Sequence, residues 1–409
     1  GRGGLEQQYD FELRGQDGGW QIEVDALGRQ TKMLRYIPSV KGNSLYTTID
    51  SKLQEAAYQA LKKSATKKGA AIVIDPRNGA VKALVSVPGF NPDISAEKEF
   101  LKYLKDKELP LFNRAIQALY PPGSVFKVIT FIGAVSDNIV NPKETYTCEG
   151  SFTLGNRTFA CWLKTGHGKM SLIPAMANSC NVYFYNIGLK IGQKILESIA
   201  KEFKIGAKTG IDLPSEKKGL LPSSEWKLKK RNMPWLKGDT VNMAIGQGPL
   251  LVTPIQIASM IVAVANGGTL YKPYIVEKIS DPDGNILYAH EQEIRGKIEL
   301  SENTWKLLKN ALETAVSNGT GRGCSFSNIK VAGKTGTSQN PQGEDHAWFA
   351  SYAPADNPEI AVTVLVEHGG TGGHAAVPVA RAIYEQYFGL SKGKTETKNI
   401  SVSTSTVIN

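Results

Sequence analysis

The sequence predicts an α+β fold, an antiparallel sheet with helices on both faces and a helical subdomain. Three observations carry this. Short strand-forming runs lie early in the chain, within residues 69–85, and again late, at 329–332, 347–352 and 360–366. A helical middle separates them, so one sheet collects its strands from both ends of the chain. The 409 residues, 41% hydrophobic and 21% charged, describe a globular chain with a large core and more than one domain.

Taken in order, residues 1–44 are Gly-rich and charged, with alternating stretches such as Trp20 to Val24. Leu45 to Asp50 leads into a helix predicted over Ser51 to Ala65. Gly69 to Asp75, Pro76 to Gly79 and Ala80 to Val85 read as a hairpin closed by an Asn-Gly turn. Pro121-Pro122-Gly123 ends any preceding element. From Ser124 to Val135 the chain is apolar on nearly every side, with Lys127 as its only charge, the pattern of a helix inside a core. Ala177 to Tyr185 joins a short polar stretch to an apolar, aromatic run that opens another helix. Ile257 to Ala265 forms a helix started by the capping box Thr253-Pro-Ile-Gln256 and ended by Asn266-Gly-Gly268. That apolar run is far short of the ~20 residues that span a bilayer. The tail 391–409 is rich in Lys, Ser and Thr and is predicted disordered. There are no internal repeats.

Three motifs carry chemistry: Ser124-Val-Phe-Lys127, Ser179-Cys-Asn181 and Lys334-Thr-Gly-Thr337. Ser124 is predicted at the first turn of the buried helix, where unpaired amides and the dipole favour a developing anion. Lys127 follows on the same face. In an apolar setting it loses proton affinity, which is what a base for a serine hydroxyl needs. A capping serine followed by a snorkelling lysine is the alternative for this motif taken alone. Ser179 and Asn181 offer a hydroxyl and an amide for proton relay and substrate positioning, or form an ordinary cap. The third motif is predicted on a strand, or else in a surface hairpin. There Gly336 admits a ligand backbone, Lys334 supplies charge for a carboxylate, and Thr335 and Thr337 supply hydroxyls.

Three of the four cysteines crowd with a histidine as Cys148, Cys161, His167 and Cys180, in a Gly-rich stretch. Three thiolates and an imidazole are the ligand inventory of a structural zinc site, though the spacing lacks a close Cys pair. A Cys148–Cys161 disulfide with Cys180 as a buried thiol is the rival, and spacing alone does not separate them. Cys324 stands apart and reads as a core thiol. His346, ahead of Ala-Trp-Phe on a predicted strand, reads as a packing or hydrogen-bonding residue behind the site.

Together these motifs resemble the class B, monofunctional penicillin-binding proteins, and most closely the elongation type, penicillin-binding protein 2. The trio S-x-x-K, S-x-N, K-T-G is shared with β-lactamases. Tyr120 to Lys127, Asn242 to Pro249 with Thr253 to Gln256, and His346 to Phe349 are similar to the narrower group, and the likeness runs from Gly4 to about Tyr387. The resemblance implies a penicillin-binding transpeptidase fold over residues 45–390, preceded by the membrane-proximal remnant of a pedestal domain in 1–44. It implies a peptidoglycan D,D-transpeptidase with Ser124 as nucleophile on D-Ala-D-Ala stem peptides and Lys127 as base. Ser179 and Asn181 would return the proton and position substrate, and Lys334 with Thr335 would hold its carboxylate. The amides of Ser124 and Thr337 would form the oxyanion hole. No cofactor is implied for the chemistry. A zinc site in the cysteine segment is implied, and so are β-lactams as covalent ligands. A membrane-embedded SEDS-type glycosyltransferase and elongation scaffold proteins are the implied partners. The expected location is the outer side of the bacterial cytoplasmic membrane, with an N-terminal anchor that lies outside these residues.

A D,D-carboxypeptidase or β-lactamase on the same scaffold is an alternative. Glu216 is its only candidate for a deacylating carboxylate. A non-catalytic β-lactam sensor is another. The formal net charge of +10 suits an anionic wall polymer or lipid headgroup, or marks a solvated face. No aromatic-plus-basic pattern points to nucleic acid.

Overall fold

The computed structural model describes residues 3–91, 97–341 and 343–390; the predicted disordered tail lies outside them. A central five-stranded antiparallel sheet is built from β1 (Gly69–Ile74), β2 (Val81–Val87), β3 (Ala332–Ser338), β4 (His346–Ala353) and β5 (Ile360–Val366), in the order β3-β4-β5-β1-β2. The strands predicted from both ends of the chain do meet: β5 pairs with β1, Thr363 opposite Ile72. β1 and β5 are buried along their whole length because helices cover both faces. Covered faces explain why both strands read as continuous apolar runs and not as alternation.

On one face lie α1 (Ser51–Lys62) and a C-terminal helix, Gly372–Tyr387. Leu53, Ala57, Leu61, Ala71, Val73, Val364 and Ile383 close that core. Asp50 starts α1 by accepting from the N–H groups of Lys52 and Leu53. The predicted hairpin between β1 and β2 forms, but its turn is longer than two residues: Asp75 O accepts from Gly79 N, and the Asp75 carboxylate accepts from Arg77. On the other face Ala70, Ile72, Ile74, Trp348 and Leu365 meet a larger, mostly helical core. Its members include α2 (Lys127–Val135), α3 (Leu172–Ala177), α4 (Asn181–Ile191), α5 (Pro254–Ala265) and α6 (Glu302–Ser317). α5 starts where predicted, with Gln256 Oε1 accepting from Thr253 N at 2.9 Å.

Residues 19–24 and 30–37 pair as a two-stranded ribbon whose residues are all exposed. No helix among the described residues is long and apolar enough to cross a membrane.

Candidate active site

Two of the three motif segments meet at one amine. Lys127 opens α2 and is fully buried. Its Nζ donates to Asn181 Oδ1 at 2.7 Å and to Ser179 O at 2.8 Å, and it meets Ser179 Oγ at 3.2 Å. The Phe184 ring lies against it, 5.1 Å to the centroid. Burial strips water from the ammonium and pulls its pKa down to about 7, against the opposing pull of Cys180, Cys161 and Cys148. A neutral amine has two hydrogens and one lone pair. Ser179 O and Asn181 Oδ1 can only accept, so they take the hydrogens and leave the lone pair for a hydroxyl.

Ser124 does not sit in the first turn of the α-helix. It occupies a tighter 3₁₀ turn, Gly123–Phe126, that feeds α2. The cause is a clamp on Gly123, which has φ +54°. Its N–H donates to Gly246 O at 3.0 Å, and a Cβ there would lie 2.5 Å from Thr337 O. Only glycine lets the serine turn press against the K-T-G strand in that conformation. Ser124 is half-buried, and its Oγ makes no hydrogen bond among the described residues.

Ser179 ends α3 in a way that glycine usually does. Its N–H bonds Met176 O, and the next N–H, of Cys180, bonds Ala175 O. This is the paired closure of a helix whose following residue is left-handed, and Ser179 has φ +55°. A serine there costs about 1 kcal/mol relative to glycine. In return the strained turn places its hydroxyl at Lys127. Ser179→Gly is therefore expected to leave thermal stability unchanged or raised by up to about 1 kcal/mol. The same change should slow acylation about 10²-fold. Melting curves and acylation kinetics on one preparation check both, and marked destabilisation would refute the strain.

The K-T-G motif lies on β3, the edge strand. Thr337 O accepts from Gln247 Nε2 at 3.2 Å and Thr335 O accepts from Lys334 Nζ at 2.9 Å, so both carbonyls face the open edge. By the two-residue period of a strand, Gly336 faces β4. A Cβ at Gly336 would meet Val125 Cγ2 at 2.9 Å, Trp348 Cβ at 3.0 Å and Pro122 O at 3.1 Å. Within the protein the close approach at this position is made by the turn that carries Ser124. Lys334 is fully buried, and desolvation, then the charge of Lys127, holds its pKa well below the usual lysine range. No carboxylate pairs with it among the described residues, so an anion arriving at this edge would supply the missing counter-charge.

The cysteine segment forms one knot. The ligand atoms of Cys148, Cys161, His167 and Cys180 all lie within 4.8 Å of one another. His167 Nδ1 is 3.6 Å from Cys148 Sγ and 3.5 Å from Cys161 Sγ. Tetrahedral zinc with ordinary Zn–S and Zn–N lengths requires about 3.6 Å for such pairs. All four cysteines of the chain are free thiols, so the Cys148–Cys161 disulfide alternative is not what the structure contains. Cys180 donates toward Cys161 and draws it toward the thiolate. The donor set fits a closed metal site. Cys180 also caps α4, between Ser179 and Asn181.

Residues 69–385 match the family described as the penicillin binding protein transpeptidase domain. The chain belongs to the penicillin-binding proteins. Residues 1–47 match the penicillin-binding protein dimerisation domain, and the relatives place it in class B, of the penicillin-binding protein 2 type. It is 33% identical to the peptidoglycan D,D-transpeptidase MrdA of Haemophilus influenzae, over 98% of this chain and 65% of that protein. The chain thus spans just under two thirds of that relative. Penicillin-binding protein 2 of Pseudomonas aeruginosa, solved in complex with WCK 5153, superposes with TM-score 0.80 at 32% identity, covering 95% of this chain and 83% of that one. The Helicobacter pylori complex of penicillin-binding protein 2 and MreC gives 0.80 at 32% identity, covering 96% and 72%.

In this penicillin-binding protein several contributors lie outside the three catalytic motifs. Gln247 holds the K-T-G strand, and Trp162 Nε1 donates to Asn178 O at 3.0 Å beside Ser179. Thr320 joins its hydroxyl to that of Thr335. His346 is buried as expected, accepting from His368 N at Nδ1 and facing the Tyr120 ring. Glu216 is no deacylating base: Thr209 N, Thr209 Oγ1 and Gly210 N occupy both its oxygens in a buried loop clamp.

Proposed function

We propose that this chain is the transpeptidase part of an elongation-type class B penicillin-binding protein. In this reading it cross-links peptidoglycan stem peptides through a Ser124 acyl-enzyme. The observation that carries the reading is the buried Lys127 amine, its pKa pulled down to about 7, held by Ser179 and Asn181 and one turn on from the half-buried Ser124. Ser124 Oγ adds to the carbonyl of the penultimate D-Ala while Lys127 accepts its proton. The amides of Ser124 and Thr337 hold the oxyanion. As the tetrahedral intermediate collapses, the C–N bond breaks and Lys127 returns the proton through Ser179 Oγ to the departing D-Ala amine. An amine of a neighbouring stem then attacks the ester, the acyl C–O bond to Ser124 breaks, and the amine's proton passes back by the same relay to Ser124 Oγ. Lys334 and Thr335 hold the terminal carboxylate, and Asn181 fixes the Lys127 amine.

Glu216 is occupied elsewhere and cannot activate water, which favours transfer to an amine over hydrolysis. Cys148, Cys161, His167 and Cys180 would hold a structural zinc whose contribution is to fix the turn that carries Ser179 and Asn181. Residues 1–44 would serve as part of the pedestal, and 45–390 as the transpeptidase domain. The family resemblance supports an extracytoplasmic location on the cytoplasmic membrane, β-lactams as covalent ligands, and partnership with a glycosyltransferase and elongation scaffold proteins.

A β-lactam presents a strained analogue of the D-Ala-D-Ala amide. Incubation with benzylpenicillin is expected to add one penicilloyl group per chain, on Ser124, stable over hours. Intact-mass measurement with peptide mapping checks this. An adduct elsewhere, or rapid loss with drug turnover, contradicts the transpeptidase reading.

A further inference from the structure

Thr320 lies in the loop after α6 and is attached to two of the three motif segments at once. Its N–H donates to Ala177 O at 3.1 Å, at the end of the helix that precedes Ser179. A Cβ on the neighbouring Gly319 would lie 2.2 Å from that same oxygen, so the loop is pressed onto the helix end. Its hydroxyl makes a short hydrogen bond with Thr335 Oγ1, on the K-T-G strand.

Either hydroxyl can be the donor of that bond. Two hydroxyls share one hydrogen between them, and each has a single proton to give. The other acceptor near Thr320 Oγ1 among the described residues is Ala177 O, 3.5 Å away, at the limit of hydrogen bonding. With the Thr320 proton placed in the short bond, Thr335 is its acceptor. Thr335 then keeps its own proton unspent. It lies on the strand that also carries Lys334, which has no carboxylate partner among the described residues, so an incoming carboxylate meets a hydroxyl donor and an amine together.

We propose that Thr320 is a positioning residue for carboxylate recognition, setting Thr335 as a hydrogen-bond donor toward the acyl donor's terminal carboxylate. This rests on the transpeptidase reading. Thr320→Val keeps the shape and deletes the donor. The second-order acylation constant for benzylpenicillin, which carries a free carboxylate, is expected to fall about tenfold. The loss should appear in the binding step, and Thr320→Ser should restore it. Benzylpenicillin methyl ester, which lacks the anion, should acylate the parent and Thr320→Val at similar slow rates.

The outcomes separate cleanly. If the parent protein is not acylated at all, the transpeptidase reading fails. If the parent reacts and Thr320→Val matches it with the free acid, the role of Thr320 is overturned. An equal drop for acid and ester also overturns it, because a loop that merely misfolds would not distinguish them.

Discussion

Lys127→Met is expected to cut the rate of acylation by benzylpenicillin about 10³-fold without unfolding the protein. The substitution keeps an unbranched chain in a fully buried position and removes the only amine in contact with both Ser179 and Asn181 among the described residues. The parent's pH profile should report the same group. Its pKa is pulled down to about 7 by desolvation, and the neutral amine is the active form, so acylation rises with pH through about 7 and levels off above it. Stability follows the same sign. Between about 7 and the ordinary lysine value of 10.5 the unfolded chain binds a proton that the folded chain does not. Unfolding free energy therefore increases with pH across that window. A rate that stays flat on both sides of neutrality, or near-parental acylation by Lys127→Met, removes Lys127 from the role of base.

Removal of metal is the second large effect. Purified protein is expected to hold about one zinc per chain, bound by three sulfurs and one nitrogen. Chelation should lower the melting temperature by roughly 10 °C or more, because a closed structural site contributes directly to folding. Acylation should slow as well, since Cys180 stands between Ser179 and Asn181. Thiol titration provides an independent reading. Cys324 is fully buried and its thiol is pushed up to about 12, so the native protein should show almost no reactive thiol. Denaturation with chelator should release all four cysteines. A metal-free preparation with parental melting temperature and acylation rate would refute the site and leave the transpeptidase reading intact.

Much of the site is legible in the sequence because its chemistry is concentrated in short segments. The i, i+3 spacing in Ser124-Val-Phe-Lys127 puts hydroxyl and amine on one face whether the turn is α or 3₁₀. Gly336 shows what a motif leaves open. A strand glycine announces close approach by some backbone, but only the packed structure says whose, and here it is the Pro122–Val125 turn. Thr320 carries no signal, because a lone Thr in a Gly-containing loop is ordinary, and Gln247, though inside the Asn242 to Pro249 segment, has no role that the segment alone reveals. Their roles exist only where two distant segments touch.

The sequence by itself determined which residue types are available: a serine with a lysine one turn on, an amide and hydroxyl pair, a cationic strand, and three thiols with an imidazole. It also determined the sheet's composition, since runs such as Ile360 to Val366 can be stable only where both faces are covered. The tertiary structure alone decided what those residues are to each other. It closed water away from Lys127, bent Ser179 into a left-handed turn, left Lys334 without a carboxylate partner among the described residues and drew four metal-ligand atoms into one knot. Those properties depend on burial and on contacts between residues far apart in the chain. Local propensity carries no information about either, because the energies that set them arise only once the core has closed.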